Sequence, residues 1–212
     1  MTTGEEARRA SLESDAGHAR IERAVKAAEA RTAAEIVVAI HPSSASYPTT
    51  GWLAGSALAA MWLLVFLYHP EPFDFTFLPV ELAGAFGLGF LLGRTIQPLR
   101  RMLVSAATRR REVDRASKAA FVDLGVTRTR GRTGVLVFAS MLEREVRVLC
   151  DAGVPAGVGG EELRRRIAAA VRRDDVDGFV TALSDFGGAL AGALPRGDDD
   201  ENELADAPEA AA

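Results

Sequence analysis

Two stretches of the chain lack any polar stripe. Residues 51–68 (GWLAGSALAAMWLLVFLY) hold no charged side chain, and residues 77–93 (FLPVELAGAFGLGFLLG) hold only Glu81. At 1.5 Å per residue, a run of 18 residues reaches about 27 Å, close to the hydrocarbon thickness of a bilayer. The second run needs flanking residues such as Thr95 and Ile96 to match that length, so a transmembrane helical hairpin is predicted over residues 51–68 and 77–97. Trp52, Trp62 and Tyr68 suit the interfaces, where amphipathic rings sit. The competing reading is two buried helices of a soluble core. Such helices usually keep a polar stripe, which the first run lacks. A re-entrant or interfacial segment is a further alternative for the second run.

Elsewhere the periodicities are those of a small layered domain. Ile21, Ala24, Val25 and Ala28 fall at helical spacing within residues 19–31. Residues 35–40 (EIVVAI) read as a β-branched strand, followed by turn-rich residues 41–50. Residues 98–123 predict one helix, very basic at its start. Residues 134–139 (GVLVFA) and 145–150 (EVRVLC) predict strands whose short connector makes an antiparallel hairpin. A glycine-rich loop at 153–160 leads to helices over 161–173 and 176–193. The expected fold is α/β, a small central β-sheet flanked by helices and interrupted by an inserted two-helix transmembrane hairpin. Its parts are a polar N-terminal segment (1–18), a discontinuous domain (19–48 and 98–195), the hairpin, and an acidic tail (196–212).

Charge adds a topology. The connector between the apolar runs carries Glu71 and Asp74 and no Lys or Arg, whereas Arg94, Arg100, Arg101, Arg109, Arg110 and Arg111 follow the second run. The positive-inside bias then places the connector outside and the α/β domain with both termini in the cytoplasm. The same arginines suit anionic lipid headgroups; a merely solvated basic helix is the plainer reading. The net charge of −4 gives no reason to expect nucleic acid. The polar first residues show no signal-peptide core, and the one cysteine, Cys150, excludes a disulfide framework within the chain. Gly51 with Gly55, and Gly89 with Gly93, form small-xxx-small steps that an antiparallel hairpin brings to one depth, where the helices are expected to touch most tightly.

Candidate chemistry is sparse. The glycine-rich loop lacks the Gly-Lys-Ser/Thr of a P-loop, His18, His41 and His69 are scattered, and Ser140 lacks the glycines of a nucleophile elbow. Carboxylates at strand ends remain: Glu35 opens the first strand and Asp151 closes the last, just before a glycine turn. Oxygen-rich loops of this kind hold hard cations such as Ca²⁺ or Mg²⁺, although Asp more often caps a turn through nearby backbone N–H groups.

Several short motifs, taken in order, carry a resemblance. They are Ala28-Glu29 with Thr32 to Val38; Phe121, Leu124-Gly125, Thr129 and Arg132-Thr133-Gly134-Val135-Leu136; Ser140 and Glu143-Arg144; Asp151-Ala152-Gly153-Val154; and Leu194-Pro195 with Asp200-Glu201-Asn202-Glu203-Leu204. Over residues 19–208 the chain resembles the TPM domain family, which includes thylakoid proteins linked to photosystem II repair and many bacterial membrane proteins. It departs where Ala152 replaces a usual Lys or Arg, and where no Trp follows the glycine-rich loop. The resemblance implies a central sheet flanked by helices and a tail that docks; the two apolar runs and their flanking arginines predict a location in the inner membrane with two spans. The hairpin anchor, the basic helix after it and the lack of a catalytic constellation point to an accessory or quality-control module that binds another membrane protein or the bilayer surface. The alternative that the resemblance implies is a weak cation-dependent acid phosphatase acting through Asp151, with Arg132 on a phosphate oxygen and Glu35 and Thr32 as neighbours. Arg132 paired with Glu35 as a register-setting contact is the structural counterpart of that reading.

Overall fold

A computed structural model of the chain describes residues 11–69, 75–158, 160–197 and 209–210. These divide into two compact units, Met1–Ser44 with Arg110–Ala212, and Ala45–Arg109.

The first unit is built on β1 (Glu35–His41), β2 (Gly134–Ser140) and β3 (Glu145–Cys150). β1 and β2 run parallel, from Glu35 opposite Gly134 to His41 opposite Ser140, and β3 returns antiparallel to β2. A two-residue strand, β4 (Glu209–Ala210), lies parallel to β1 on its other side and completes the order β3-β2-β1-β4. β1 and β2 are buried on both faces, which is why they read as continuous apolar runs.

One face of the sheet presents Ile36, Val38, Ile40, Val135, Val137 and Ala139 to helices α1 (Asp15–Glu29), α6 (Gly160–Arg173) and α7 (Val176–Ala193). Those helices contribute Ile21, Val25, Ile167, Val171, Phe179, Leu183 and Phe186. The other face presents Val37, Ala39, Leu136 and Phe138 to Val113 and Ala120 of α5 (Ala106–Asp123). The expected class, α/β with a small sheet flanked by helices, is observed. α1 starts where Ser14 accepts the Gly17 N–H at 3.1 Å, and it carries Asp15 in its first turn and Lys26 in its last, as the helix dipole favours.

The second unit holds α2 (Pro48–Tyr68), α3 (Leu78–Thr95) and α4 (Gln97–Leu103). α2 and α3 form an antiparallel pair: Trp62 Nε1 donates to Glu81 Oε2 at 3.1 Å, and Phe66 meets Phe75 at 5.1 Å between ring centroids. The glycine steps meet as expected. A Cβ on Gly89 would lie 2.5 Å from the Ala54 carbonyl oxygen, and one on Gly93 would lie 2.6 Å from that of Thr50. Gly51, Gly55, Gly89 and Gly93 are buried, whereas most apolar side chains of α2 face outward, Leu67 at 63 % exposure among them. Among the described residues one helix, α2, is long and apolar enough to cross a membrane, with mean hydropathy 1.7. α3 carries Glu81 in its first turn and Arg94 in its last.

Two boundaries differ from the sequence expectation. The second run was expected to continue to residue 97, yet α3 ends at Thr95 because Ile96 is extended and Pro98, which has no N–H, cannot continue the ladder. The single basic helix over 98–123 is two helices. Val104 is extended, and Ser105 restarts the chain by accepting the Thr108 N–H at 3.1 Å. The connector acids Glu71 and Asp74, and most of the acidic tail including Asn202, lie outside the described residues.

Candidate functional site

Most of the motif residues converge on one end of the sheet, where β1 and β2 begin and β3 stops. Asp151 is placed there by its own backbone: its N–H donates to the Gly134 carbonyl at 2.9 Å, extending the β2–β3 ladder by one bond. Its side chain is 4 % exposed and turns back to accept the Ala152 N–H at 2.7 Å, as turn aspartates do. Arg132 caps it in a fork, Nη2 to Oδ1 at 2.9 Å and Nε to Oδ2 at 3.3 Å. Arg132 sits at φ 52°, in the left-handed region, held there as its carbonyl accepts the Gly153 N–H at 2.8 Å. Gly153 is required at that approach, because a Cβ would run into the Gly131 carbonyl oxygen; one on Gly134 would likewise strike that of Val126.

Burial pushes the Asp151 carboxyl up. The Arg132 hydrogen bond, the Ala152 N–H and the Arg132 charge together outweigh that, and hold it below its ordinary 3.8. The side chain is therefore an ionised acceptor at neutral pH, not a proton donor.

The remaining motif residues fasten neighbouring loops to the same end. Glu29 Oε1 accepts the buried Ile36 N–H at 2.8 Å, so the last turn of α1 caps the start of β1. Thr32 donates to the Leu194 carbonyl at 2.7 Å and accepts the Ala34 N–H at 3.2 Å. Thr129 Oγ1 accepts the Thr133 N–H at 3.0 Å, and Thr133 Oγ1 donates to the Ala33 carbonyl at 2.8 Å. Glu35 is buried in register with Gly134. The anticipated Arg132–Glu35 pair is replaced by Arg132–Asp151, since the guanidinium follows the strained backbone toward the turn.

This donor set does not suit a hard cation. Ca²⁺ takes six to eight oxygens, whereas both Asp151 oxygens are already engaged by Arg132 and a backbone N–H. No three of His, Cys, Asp and Glu come together as ligands among the described residues. The expected metal pair of Asp151 and Glu35 is thus not assembled as a cation site by the described residues.

A second polar cluster lies at the opposite end of the sheet; Ser140 and Glu143 were read in the sequence as motif residues, but not as partners of Ser43 and Ser44. Glu143 is 3 % exposed and accepts the Ser44 N–H at 3.2 Å, the Ser43 hydroxyl at 3.3 Å and the Ser140 hydroxyl. Ser44 Oγ in turn donates to Ser140 Oγ at 2.8 Å. The carboxyl ends of parallel strands are where ligands settle in open α/β sheets. Here the carboxylate is filled by local donors and Ser140 is fully buried, so the cluster ties the loop after β1 to the turn after β2. Ser43 and Ser44 were visible only as turn residues; nothing local marks them as partners of Glu143.

Comparison with known proteins adds a fold and no activity. No family model matches the chain, and no curated protein matches it. The chain is similar to the BA42 protein from the psychrophilic bacterium Bizionia argentinensis, solved by NMR, with a TM-score of 0.56 and 16 % identity over 93 % of this chain and 94 % of that one.

Proposed function

We propose that this chain is a bacterial TPM-domain protein anchored in the inner membrane by a two-span hairpin, α2 and α3, and that it serves as a non-catalytic accessory or quality-control module for a membrane protein partner. The observation that carries the reading is the outward-facing apolar surface of α2. Trp52, Leu64, Leu67 and Tyr68 are 60 %, 57 %, 63 % and 82 % exposed on a helix of 21 residues, long enough for a span of about 30 Å. So much contiguous apolar surface is costly in water and suits lipid. The glycine contacts pair α2 with α3 as small residues pair membrane helices. Glu81 then lies near the outer interface beside the Trp62 N–H, and Arg94 near the inner one.

The motif residues support a binding module over an enzyme. Asp151, Arg132, Glu29, Thr32 and Thr129 each hydrogen-bond to backbone or to one another, fastening loops at one end of the sheet. Carbonate extraction of membranes, with a reporter fused at residue 72, tests the anchor. Retention in the membrane with an external reporter is expected; release as a soluble protein would overturn it. The alternative, a cation-dependent acid phosphatase acting through Asp151 and Arg132, requires hydrolysis by the purified chain that depends on Ca²⁺ or Mg²⁺ and disappears in Asp151→Asn.

A further inference from the structure

Within the helical unit, Ser46, Tyr47, Pro48, Arg94 and Arg100 line a cavity of about 260 Å³. It lies where the first turn of α2 meets the last turn of α3 and the short helix α4. That volume is below the 300–1,000 Å³ typical of sites for drug-sized ligands, and suits one small headgroup.

Arg94 is held in place. Gly51 leaves room for its stem, since a Cβ there would lie 3.0 Å from Arg94 Cγ and 3.0 Å from the Phe90 ring. The guanidinium carbon then sits 5.7 Å from the Phe90 ring centroid, within cation–π range. Arg100 reaches the same cavity from α4. Both arginines line this one small space, and neither is ion-paired with a carboxylate among the described residues. Such an arrangement is relieved by an anion between them. Guanidinium forks match phosphate oxygens, and the Ser46 hydroxyl on the wall can donate as well.

The source of the phosphate follows from the anchor. With α2 and α3 spanning the bilayer, this end of the hairpin lies at the cytoplasmic headgroup layer. Basic pockets between membrane helices on that side take anionic lipid headgroups. We propose that the cavity binds the phosphate of an anionic phospholipid through Arg94 and Arg100, an assignment that rests on the membrane-anchor reading.

The test uses the full chain in neutral detergent, with melting followed by tryptophan fluorescence. Phosphatidylglycerol, phosphatidylcholine and inorganic phosphate are titrated in turn. A saturable rise in Tm with phosphatidylglycerol alone is expected. In Arg94→Gln/Arg100→Gln that response should weaken about tenfold or more, whereas Arg164→Gln, in the other unit, should leave it intact. Arg94→Lys/Arg100→Lys, which keeps the charge and loses the fork, should fall between, and serves if the Gln variant does not fold. An equal response to phosphatidylcholine, or a phosphatidylglycerol response that survives the double variant, would overturn the site. A matching response to inorganic phosphate would overturn the lipid assignment. Carbonate extraction separates the two readings: a chain that stays in the membrane without preferring phosphatidylglycerol removes the pocket alone, and one that is released removes the anchor as well.

Discussion

Replacing Gly89 by alanine adds one methyl group, and the structure says where it goes. The new Cβ would lie 2.5 Å from the Ala54 carbonyl oxygen and 2.9 Å from Gly55 Cα. Both obstacles are backbone of α2, so no side chain can swing aside. Restoring ordinary contact, which begins at 3.4 Å, moves the helices apart by about 0.9 Å at that point. The separation is felt along the seam, because Gly93 and Thr50 approach as closely one turn away. Overpacking of this kind costs about 1–3 kcal/mol. The control is in the same helix: a Cβ on Gly84 or Gly87 meets nothing within 4 Å. Alanine there gains the same helix propensity, about 1 kcal/mol over glycine, without the clash. Purified full-length variants in one detergent should therefore melt in the order Gly84→Ala at or above wild type, wild type, then Gly89→Ala several degrees lower. Trp52 packs on Phe86 and Phe90 at 5.6 and 5.5 Å, so its fluorescence reports the seam directly. A Gly89→Ala protein that melts with Gly84→Ala would refute the close helix contact.

Other substitutions probe the sheet end. Asp151→Asn keeps an acceptor for the Ala152 N–H but loses the charge pairing with Arg132, whose exposure limits the cost to about 1–2 kcal/mol. Since the folded carboxyl titrates below its ordinary 3.8, the stabilisation is complete above that value and is lost as pH falls through the lower, folded value. The gap in Tm between wild type and Asp151→Asn should be steady from pH 7 to pH 5 and close toward pH 2; a gap that widens with acid would contradict the pairing. Glu29→Ala strips the acceptor from the buried Ile36 N–H and should cost about 1–3 kcal/mol, while Glu29→Gln, which keeps a carbonyl oxygen, should recover most of it. Equal melting points for the two would show that the acceptor is unimportant.

The strands illustrate what was legible. EIVVAI and GVLVFA announce themselves as β1 and β2 because both faces are buried and every position after Glu35 is apolar or small. EVRVLC shows its lesser burial as alternation, and it is an edge strand. The break between α4 and α5 was not legible. Residues 98–123 continue a basic, helix-compatible composition through Val104 and Ser105, and only the Ser105 cap on Thr108 shows that the backbone leaves the helix. Asp151 was identified as a strand-end carboxylate that could serve a turn or a cation; in the structure it accepts the Ala152 N–H and pairs with Arg132, which no spacing in the chain announced.

Local chemistry by itself therefore determined most of the elements: where apolar runs lie, where strands start, and where glycines recur at one helical turn. Those properties depend on neighbours within a few residues, and the backbone's short periods write them into the chain. Only the tertiary structure decided the partners. Thr32 finds the Leu194 carbonyl 162 positions away, Thr133 finds that of Ala33 at 100, and Ser44 finds Glu143 at 99. A hydroxyl or carboxylate satisfies itself with whichever donor or acceptor the fold brings within about 3 Å, and no spacing along the chain encodes which one that is.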